Sequence, residues 1–242
     1  HYVGDWENHV ITADYFGVFS RQLKLLLHAP GNFVGIMSNG TSGEANTWDF
    51  MHPGRYPAAH HAKSEMIGTD LAQKLVQSTD NLEWDTEPVL DVRYYEMPIA
   101  TRKPLEDEVQ LARRLLSETI YENLKIINEE NIRRIYAREQ VLLHEFPDTV
   151  LFPVQALKIG KGVIGGLGGE FFAETGLLLK KSSGKSPYFT ITFANDYVGY
   201  VPPEHEIERG GYETWRCRSS YLEPGAENKI RIAMQLMIRE LT

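Results

Sequence analysis

A long helical stretch lies between two strand patterns in this 242-residue chain, and it restricts the fold more than any other feature. Residues 89–99 are rich in the β-branched and aromatic side chains that favour strands. Residues 150–158 alternate as a strand does, and the following Gly160-Lys161-Gly162 predicts a hairpin. Between these strands, residues 104–147 space their apolar side chains as a helix does, which predicts a helical insertion. We therefore predict a mixed α+β fold, a single domain of mixed sheet packed with helices over residues 1–242.

The flanking regions predict further helices and strands. Apolar side chains at helical spacing predict helices over residues 13–28 and around 67–75, and a third from Pro224 onward. A fourth helix is expected to begin near Glu170. The short apolar run 33–37 predicts a buried strand, and residues 188–193 alternate as another.

Composition excludes several classes of protein. With 42% hydrophobic and 24% charged residues, the chain resembles ordinary globular domains. A net charge of -8 disfavours nucleic acid as a partner, because that binding depends on Lys and Arg meeting phosphates. Cys217 is the one cysteine and cannot form an internal disulfide. No apolar run approaches the roughly 18 residues typical of a membrane span, so we predict no transmembrane segment.

Three local motifs suggest chemistry but lack a required residue. Ser42 follows a predicted strand as a hydrolase nucleophile does, yet Glu44 occupies the position where the nucleophile elbow has glycine. The run Gly165–Gly169 lacks the lysine of a phosphate-binding loop, so close backbone packing is the better interpretation. The cluster His52, His60 and His61 has no common zinc spacing, which favours surface or helix-terminal histidines.

Several segments, taken together in order and spacing, resemble the neutral ceramidase family. His1 and the segment 11–17 are similar to the family's His-Pro segment and the Ser-Asp-Asn stretch after it. The loop 39–46 is similar to the one that carries Gly-Asp-Val-Ser-Pro-Asn. The most specific similarity is to the family's Gly-Glu-Phe, Asn-x-Tyr-x-x-Tyr and Tyr-Glu blocks, which here are Gly169-Glu170-Phe171, Asn195 to Tyr200, and Tyr212-Glu213.

The resemblance implies a zinc site built from His1, Glu170 and Tyr200. In that family two His, one Glu and one Tyr hold the zinc, so the resemblance also implies a further His upstream of this sequence. Imidazole and carboxylate are ordinary zinc ligands, and zinc lowers the pKa of a bound water enough for it to attack an amide carbonyl. A phenol is less usual, but a nearby divalent cation favours the phenolate.

The resemblance also implies catalytic roles for two other positions. Tyr212 matches a family tyrosine that hydrogen-bonds the tetrahedral transition state. Asn46 stands where ceramidases have the serine implicated in catalysis, and its amide can orient water or substrate but cannot act as a nucleophile. The chain therefore departs from the family pattern at the position of the catalytic serine.

The function expected from the resemblance is zinc-dependent hydrolysis of an amide bond in a lipid-like or other small substrate, as in sphingolipid metabolism. Two alternatives stay open: a catalytically inactive binding protein of the same fold, and a serine hydrolase that uses Ser42. Since the sequence opens at His1 without Met, we expect it to be the C-terminal part of a longer catalytic domain. The resemblance also suggests a secreted, periplasmic or membrane-facing location.

Overall fold

The computed structural model describes residues 2–7, 9–79 and 82–241. Its helices are α1 (Asp14–Leu26), α2 (Ala62–Ser78), α3 (Glu106–Ser117), α4 (Glu129–His144), α5 (Ala173–Ser182), α6 (Glu204–Arg209) and α7 (Ala226–Glu240). Its strands are β1 (Leu90–Ala100), β2 (Thr149–Ile159), β3 (Gly162–Leu167), β4 (Glu170–Phe171), β5 (Tyr188–Thr192) and β6 (Tyr200–Val201). Short 3₁₀ helices span Tyr121–Lys125 and Tyr212–Thr214. The predicted mixed α+β class is confirmed.

The chain forms two compact units. Unit 1 comprises His1–Asn39 and Ala45–Glu87, and unit 2 comprises Gly40–Glu44 and Pro88–Thr242. Among the described residues, none of the helices combines the length and the apolar character that crossing a membrane requires.

In unit 1, α1 packs directly against α2. A β-carbon on Gly68 of α2 would lie 2.6 Å from the side chain of Val18, so only glycine permits this approach. The buried carboxylate of Asp14 accepts hydrogen bonds from Val3 N at 2.7 Å and from the Ser64 hydroxyl at 2.9 Å. Asp14 therefore fixes the N-terminal segment to both helices.

The predicted strand at residues 33–37 is wrong, because this segment has no strand conformation. Phe33 and Met37 pack against the small apolar cluster of α1 and α2, whereas Val34 and Ile36 are 71% and 82% exposed. Gly35 lies against the backbone of α1, where a β-carbon would come within 3.1 Å of the Ser20 Cα. The apolar run thus covers helices instead of joining a sheet.

In unit 2, a four-stranded sheet has the order β1-β2-β3-β5. The β1/β2 and β2/β3 pairs are antiparallel, whereas β3/β5 is parallel. The predicted hairpin joins β2 to β3, and Gly160 adopts a φ of 57° that suits glycine. The buried side chains of β2 and α7 form the centre of the core: Phe152, Val154, Ile230, Met234 and Ile238. Burying each such side chain contributes about 1.5–3 kcal/mol.

Helices α3 and α4 lie along the chain between the paired strands β1 and β2, within the predicted range 104–147. At the start of α3, the Glu108 carboxylate accepts a hydrogen bond from Leu105 N at 2.7 Å. Asn128 caps α4 by accepting a hydrogen bond from Asn131 N at 2.8 Å. Local capping therefore supports the helical prediction made from apolar spacing.

Candidate functional site

A second, two-stranded sheet in unit 2 positions the candidate site. Strands β4 and β6 are parallel, and their register places Glu170 opposite Tyr200. Glu170 therefore lies on a strand, which corrects the expected helix start near this residue. Helix α5 begins at Ala173 instead, and the Glu44 carboxylate binds Ala173 N at 3.0 and 2.9 Å. Glu44 thus stabilises the positive end of this helix, together with Glu174 in its first turn.

Glycines make this close strand pairing possible. A β-carbon on Gly169 would lie 2.9 Å from the Gly199 oxygen, and one on Gly168 would lie 2.9 Å from the Asp196 β-carbon. Gly199 has a φ of +75°, and a β-carbon there would come within 2.2 Å of the Ser219 oxygen. The glycine run serves close backbone packing, as predicted, and that packing brings the side chains of β4 and β6 together.

Four side chains from these elements form a carboxylate–phenol cluster, which we define as Glu170, Tyr197, Tyr200 and Tyr212. The Tyr197 hydroxyl donates to the Glu170 carboxylate at 2.7 Å. The Tyr200 hydroxyl lies 3.5 Å from that of Tyr212, and their rings meet edge to face with centroids 5.8 Å apart. Phe193 stacks on Tyr197 with centroids 5.8 Å apart. Tyr197 and Tyr212 are about half exposed, so the cluster is open to solvent.

The cluster disfavours additional negative charge. Burial, the hydrogen bond to Glu170 and the charge of Glu170 raise the pKa of Tyr197 to about 12. Burial, the contact with Tyr212 and the charge of Glu170 raise the pKa of Tyr200 still further. With protein groups alone, both phenols are therefore protonated at neutral pH.

A polar network that the sequence did not suggest holds the segment carrying Tyr212. The Arg102 guanidinium donates from Nη2 to the Thr214 oxygen at 2.9 Å and to the Ser220 oxygen at 2.8 Å. Gly211, with a φ of +111°, provides the turn immediately before Tyr212. No local motif marks Arg102, because its partners lie more than 100 residues further along the chain.

Asn46 and His1 are the two remaining predicted site residues. Asn46 belongs to unit 1, is exposed, and its side-chain oxygen accepts a hydrogen bond from Trp48 N at 2.9 Å. His1 lies outside the described residues. The structure thus brings together Glu170, Tyr200 and Tyr212 of the predicted set.

Ser42 lies in the segment Gly40–Glu44, which belongs to unit 2 and is hydrogen-bonded to β4. Its hydroxyl donates to the Gly40 oxygen at 3.3 Å, as a turn-forming hydroxyl does. The neighbouring Gly43 N donates to the Phe171 oxygen at 2.8 Å, and a β-carbon on Gly43 would lie 2.5 Å from the Glu170 oxygen. These contacts give the loop a structural role beside β4.

The clustered histidines pair with acidic side chains or backbone. His52 Nδ1 lies 3.2 Å from Asp49, and His61 Nε2 lies 3.1 Å from Glu7. His60 is exposed, with Nδ1 3.3 Å from the Asp5 oxygen. Within the part of the chain that the structure describes, no three His, Cys, Asp or Glu side chains are grouped to hold a metal ion.

The donor set of the cluster fits a zinc ion in part. Glu170 provides a carboxylate and Tyr200 a phenol, and they occupy opposing positions of one strand pair. Burial first, and then the contact with Tyr212 and the charge of Glu170, raise the pKa of Tyr200, and a divalent cation would offset the effect of that charge. Zinc sites in proteins have about four ligands, so other donors would have to complete this set.

The protein thus combines a mixed α+β fold with a solvent-open cluster of one glutamate and three tyrosines. Comparison with known proteins finds solved structures of similar fold. The structure is similar to that of neutral ceramidase from Pseudomonas aeruginosa, with a TM-score of 0.63 and 18% sequence identity over 97% of this chain and 41% of that one. It is equally similar to a ceramidase complexed with C2, with a TM-score of 0.63 and 16% identity over 97% of this chain and 43% of that one.

The chain thus spans about two-fifths of the length of these ceramidases. No protein-family model matches the sequence, and no curated protein matches it. At this level of identity, the comparison shows a shared ceramidase fold.

Proposed function

We propose that this chain belongs to a zinc-dependent hydrolase that cleaves an amide bond in an N-acyl, lipid-like substrate. The observation that carries the proposal is the pairing of Glu170 with Tyr200 across β4 and β6, with Tyr212 against Tyr200, in a fold shared with ceramidases. Glu170 and Tyr200 are two proposed zinc ligands. His1 and a His upstream of this sequence are the others, and a water would complete the site. When bound, zinc supplies an activated water and polarises the amide carbonyl.

The chain's own residues would position and stabilise the reacting groups. The Tyr197 hydroxyl holds one oxygen of Glu170 and thereby fixes the orientation of the carboxylate. Tyr212 is 48% exposed and lies beside Tyr200, so its hydroxyl is available to donate to the oxyanion that develops on the amide. Asn46 is the proposed replacement for the family serine, in the role of orienting water or substrate through its amide. The proposed natural setting is lipid metabolism at a secreted, periplasmic or membrane-facing location.

The test compares variants of the carboxylate–phenol cluster with a variant of a second carboxylate–phenol pair, Glu96 and Tyr94, in the full-length protein. Glu170→Gln and Tyr200→Phe should each lower zinc content, measured by mass spectrometry after dialysis, and abolish release of fatty acid from an N-acyl sphingosine. Tyr212→Phe should retain zinc but lower kcat by about 10- to 100-fold, as loss of an oxyanion donor does.

Tyr94→Phe is the matched control, because Tyr94 also donates to a carboxylate, that of Glu96 at 2.7 Å, and lies on β1. It should change neither zinc content nor rate. Full activity of Glu170→Gln would refute the proposed site. Zinc binding without hydrolysis of any amide or ester tested would support the inactive binding protein instead.

A further inference from the structure

A cleft between α3 and α4 lies outside the carboxylate–phenol cluster and has the features of a ligand site. Its volume is about 400 Å³, within the range of small-molecule pockets. Leu111, Ala112 and Leu115 from α3 and Ala137 from α4 provide its apolar lining. Lining positions run along α3 from Glu108 to Leu115 and reach Glu118 just after the end of the helix, a span of about 15 Å at 1.5 Å per residue. The cleft is therefore elongated along α3.

Unpaired positive charge borders this apolar lining. Arg114 of α3 and Arg133 of α4 both line the cleft and are exposed. Neither guanidinium makes a hydrogen bond or ion pair with any residue that the structure describes, whereas the neighbouring Arg134 binds Glu130 at 2.6 Å. Two free guanidinium groups on facing helices favour an anionic group, since Arg binds carboxylates with paired N–H donors.

Some of the other charged side chains that line the cleft already form hydrogen bonds within the protein. Arg216 donates to Glu108 and to the Gln140 oxygen, each at 2.7 Å, and the second oxygen of Glu108 binds Leu105 N. The hydrogen bonds among Arg216, Glu108 and Gln140 connect three of the residues that line the cleft. Glu118 also lines the cleft, so three arginines stand against two glutamates. The local balance is positive in a protein whose net charge is -8.

We propose that the α3/α4 cleft binds a free fatty acid, with the acyl chain along Leu111, Ala112, Leu115 and Ala137 and the carboxylate between Arg114 and Arg133. The apolar lining and the free guanidinium pair together select an anionic, single-chain amphiphile. The site does not depend on zinc or on hydrolysis at the carboxylate–phenol cluster. It would remain if the proposed catalysis proved wrong.

The test is isothermal titration of the full chain with dodecanoate, kept below the concentration at which it forms micelles. Dodecanoate should bind at one site, and at least about tenfold more tightly than dodecanol, which lacks the charge. The double variant Arg114→Gln with Arg133→Gln should weaken dodecanoate binding at least about tenfold. Hexanoate should bind more weakly than dodecanoate, because it covers less of the apolar lining. Leu111→Gln, at a position that is 55% exposed, should also weaken binding.

The matched control is Arg113→Gln with Arg138→Gln, which removes the same charge from the same two helices without touching the cleft lining. It should change dodecanoate affinity less than twofold. Equal weakening by both double variants, or equal binding of dodecanol and dodecanoate, would overturn the proposal. So would binding to phosphatidylcholine–phosphatidylserine vesicles without binding to monomeric dodecanoate, because that result would assign the cleft to a membrane surface.

Discussion

Replacing Gly199 with alanine tests whether close backbone packing builds the carboxylate–phenol cluster. The new β-carbon would lie 2.2 Å from the Ser219 oxygen and 2.5 Å from its carbonyl carbon. Both are backbone atoms, so no side-chain rotation relieves the overlap. The strand must move, and this movement opens the hydrogen bonds from Tyr200 N to Ser219 O at 2.8 Å and from Glu170 N to Gly199 O at 2.7 Å.

The expected loss of stability can be built from its parts. Alanine at a positive φ costs about 1–2 kcal/mol relative to glycine. Each lost hydrogen bond costs about 1 kcal/mol, which brings the total to about 3–4 kcal/mol. Gly184→Ala is the control, since Gly184 has a φ of +62° and nothing within 4 Å of its added β-carbon. Gly184→Ala should cost only the free energy of placing alanine at a positive φ, about 1–2 kcal/mol.

The assay is urea denaturation of the full chain, followed by circular dichroism, with the slope m compared among wild type and both variants. Similar slopes would show that the change lies in folded-state stability. A cost for Gly199→Ala within about 0.5 kcal/mol of that for Gly184→Ala would refute the packing argument.

Three further predictions concern Tyr188, Lys63 and Arg102. Burial raises the pKa of Tyr188 to about 12, so the stability that the protonated phenol contributes is complete below the ordinary pKa near 10 and is lost as pH rises toward 12. The unfolding free energies of wild type and Tyr188→Phe should therefore converge by about 2 kcal/mol between pH 9 and 12. Parallel curves of unfolding free energy against pH would contradict this. Lys63 is fully buried, with Nζ 3.8 Å from the Trp48 ring centroid, so Lys63→Met should cost about 2 kcal/mol in urea denaturation, whereas exposed Lys74→Met on the same helix should cost less than about 0.5 kcal/mol. Arg102→Met should cost about 2–3 kcal/mol by thermal or urea unfolding, because it frees two carbonyl groups, and an unchanged midpoint would show that Arg102 does not hold the Tyr212 segment.

Local pattern was enough to predict most of the long elements. The helices α1, α2, α3, α4 and α7 and the strand β2 carry apolar side chains at periodic positions, because each buries one face. Strand β1 was predicted from its β-branched and aromatic residues, and β3 from the hairpin turn before it. Strand β5 was predicted from alternation, but its buried face carries Tyr188, Thr190 and Thr192. The failure at residues 33–37 has the same origin: an apolar run shows that side chains will be covered, but not what covers them. Phe33 and Met37 pack against helices, so no strand forms.

The candidate site depended on information that periodicity does not contain. Strands β4 and β6 have two residues each, too few to show alternation. Resemblance to ceramidase motifs selected Glu170, Tyr200 and Tyr212, and the structure brings these three side chains together in unit 2. The binding of Ala173 N by Glu44 and the role of Arg102 were not predicted, because their partners lie 129 and more than 100 residues away.

The sequence by itself determined the fold class, the glycine run suited to close packing and the charge that disfavours nucleic acid, since these depend on composition and local spacing. Only the tertiary structure decided that β4 pairs with β6 in the register that places Glu170 opposite Tyr200. Strand register is set by which distant backbones approach one another, and Gly168, Gly169 and Gly199 permit that approach by lacking side chains.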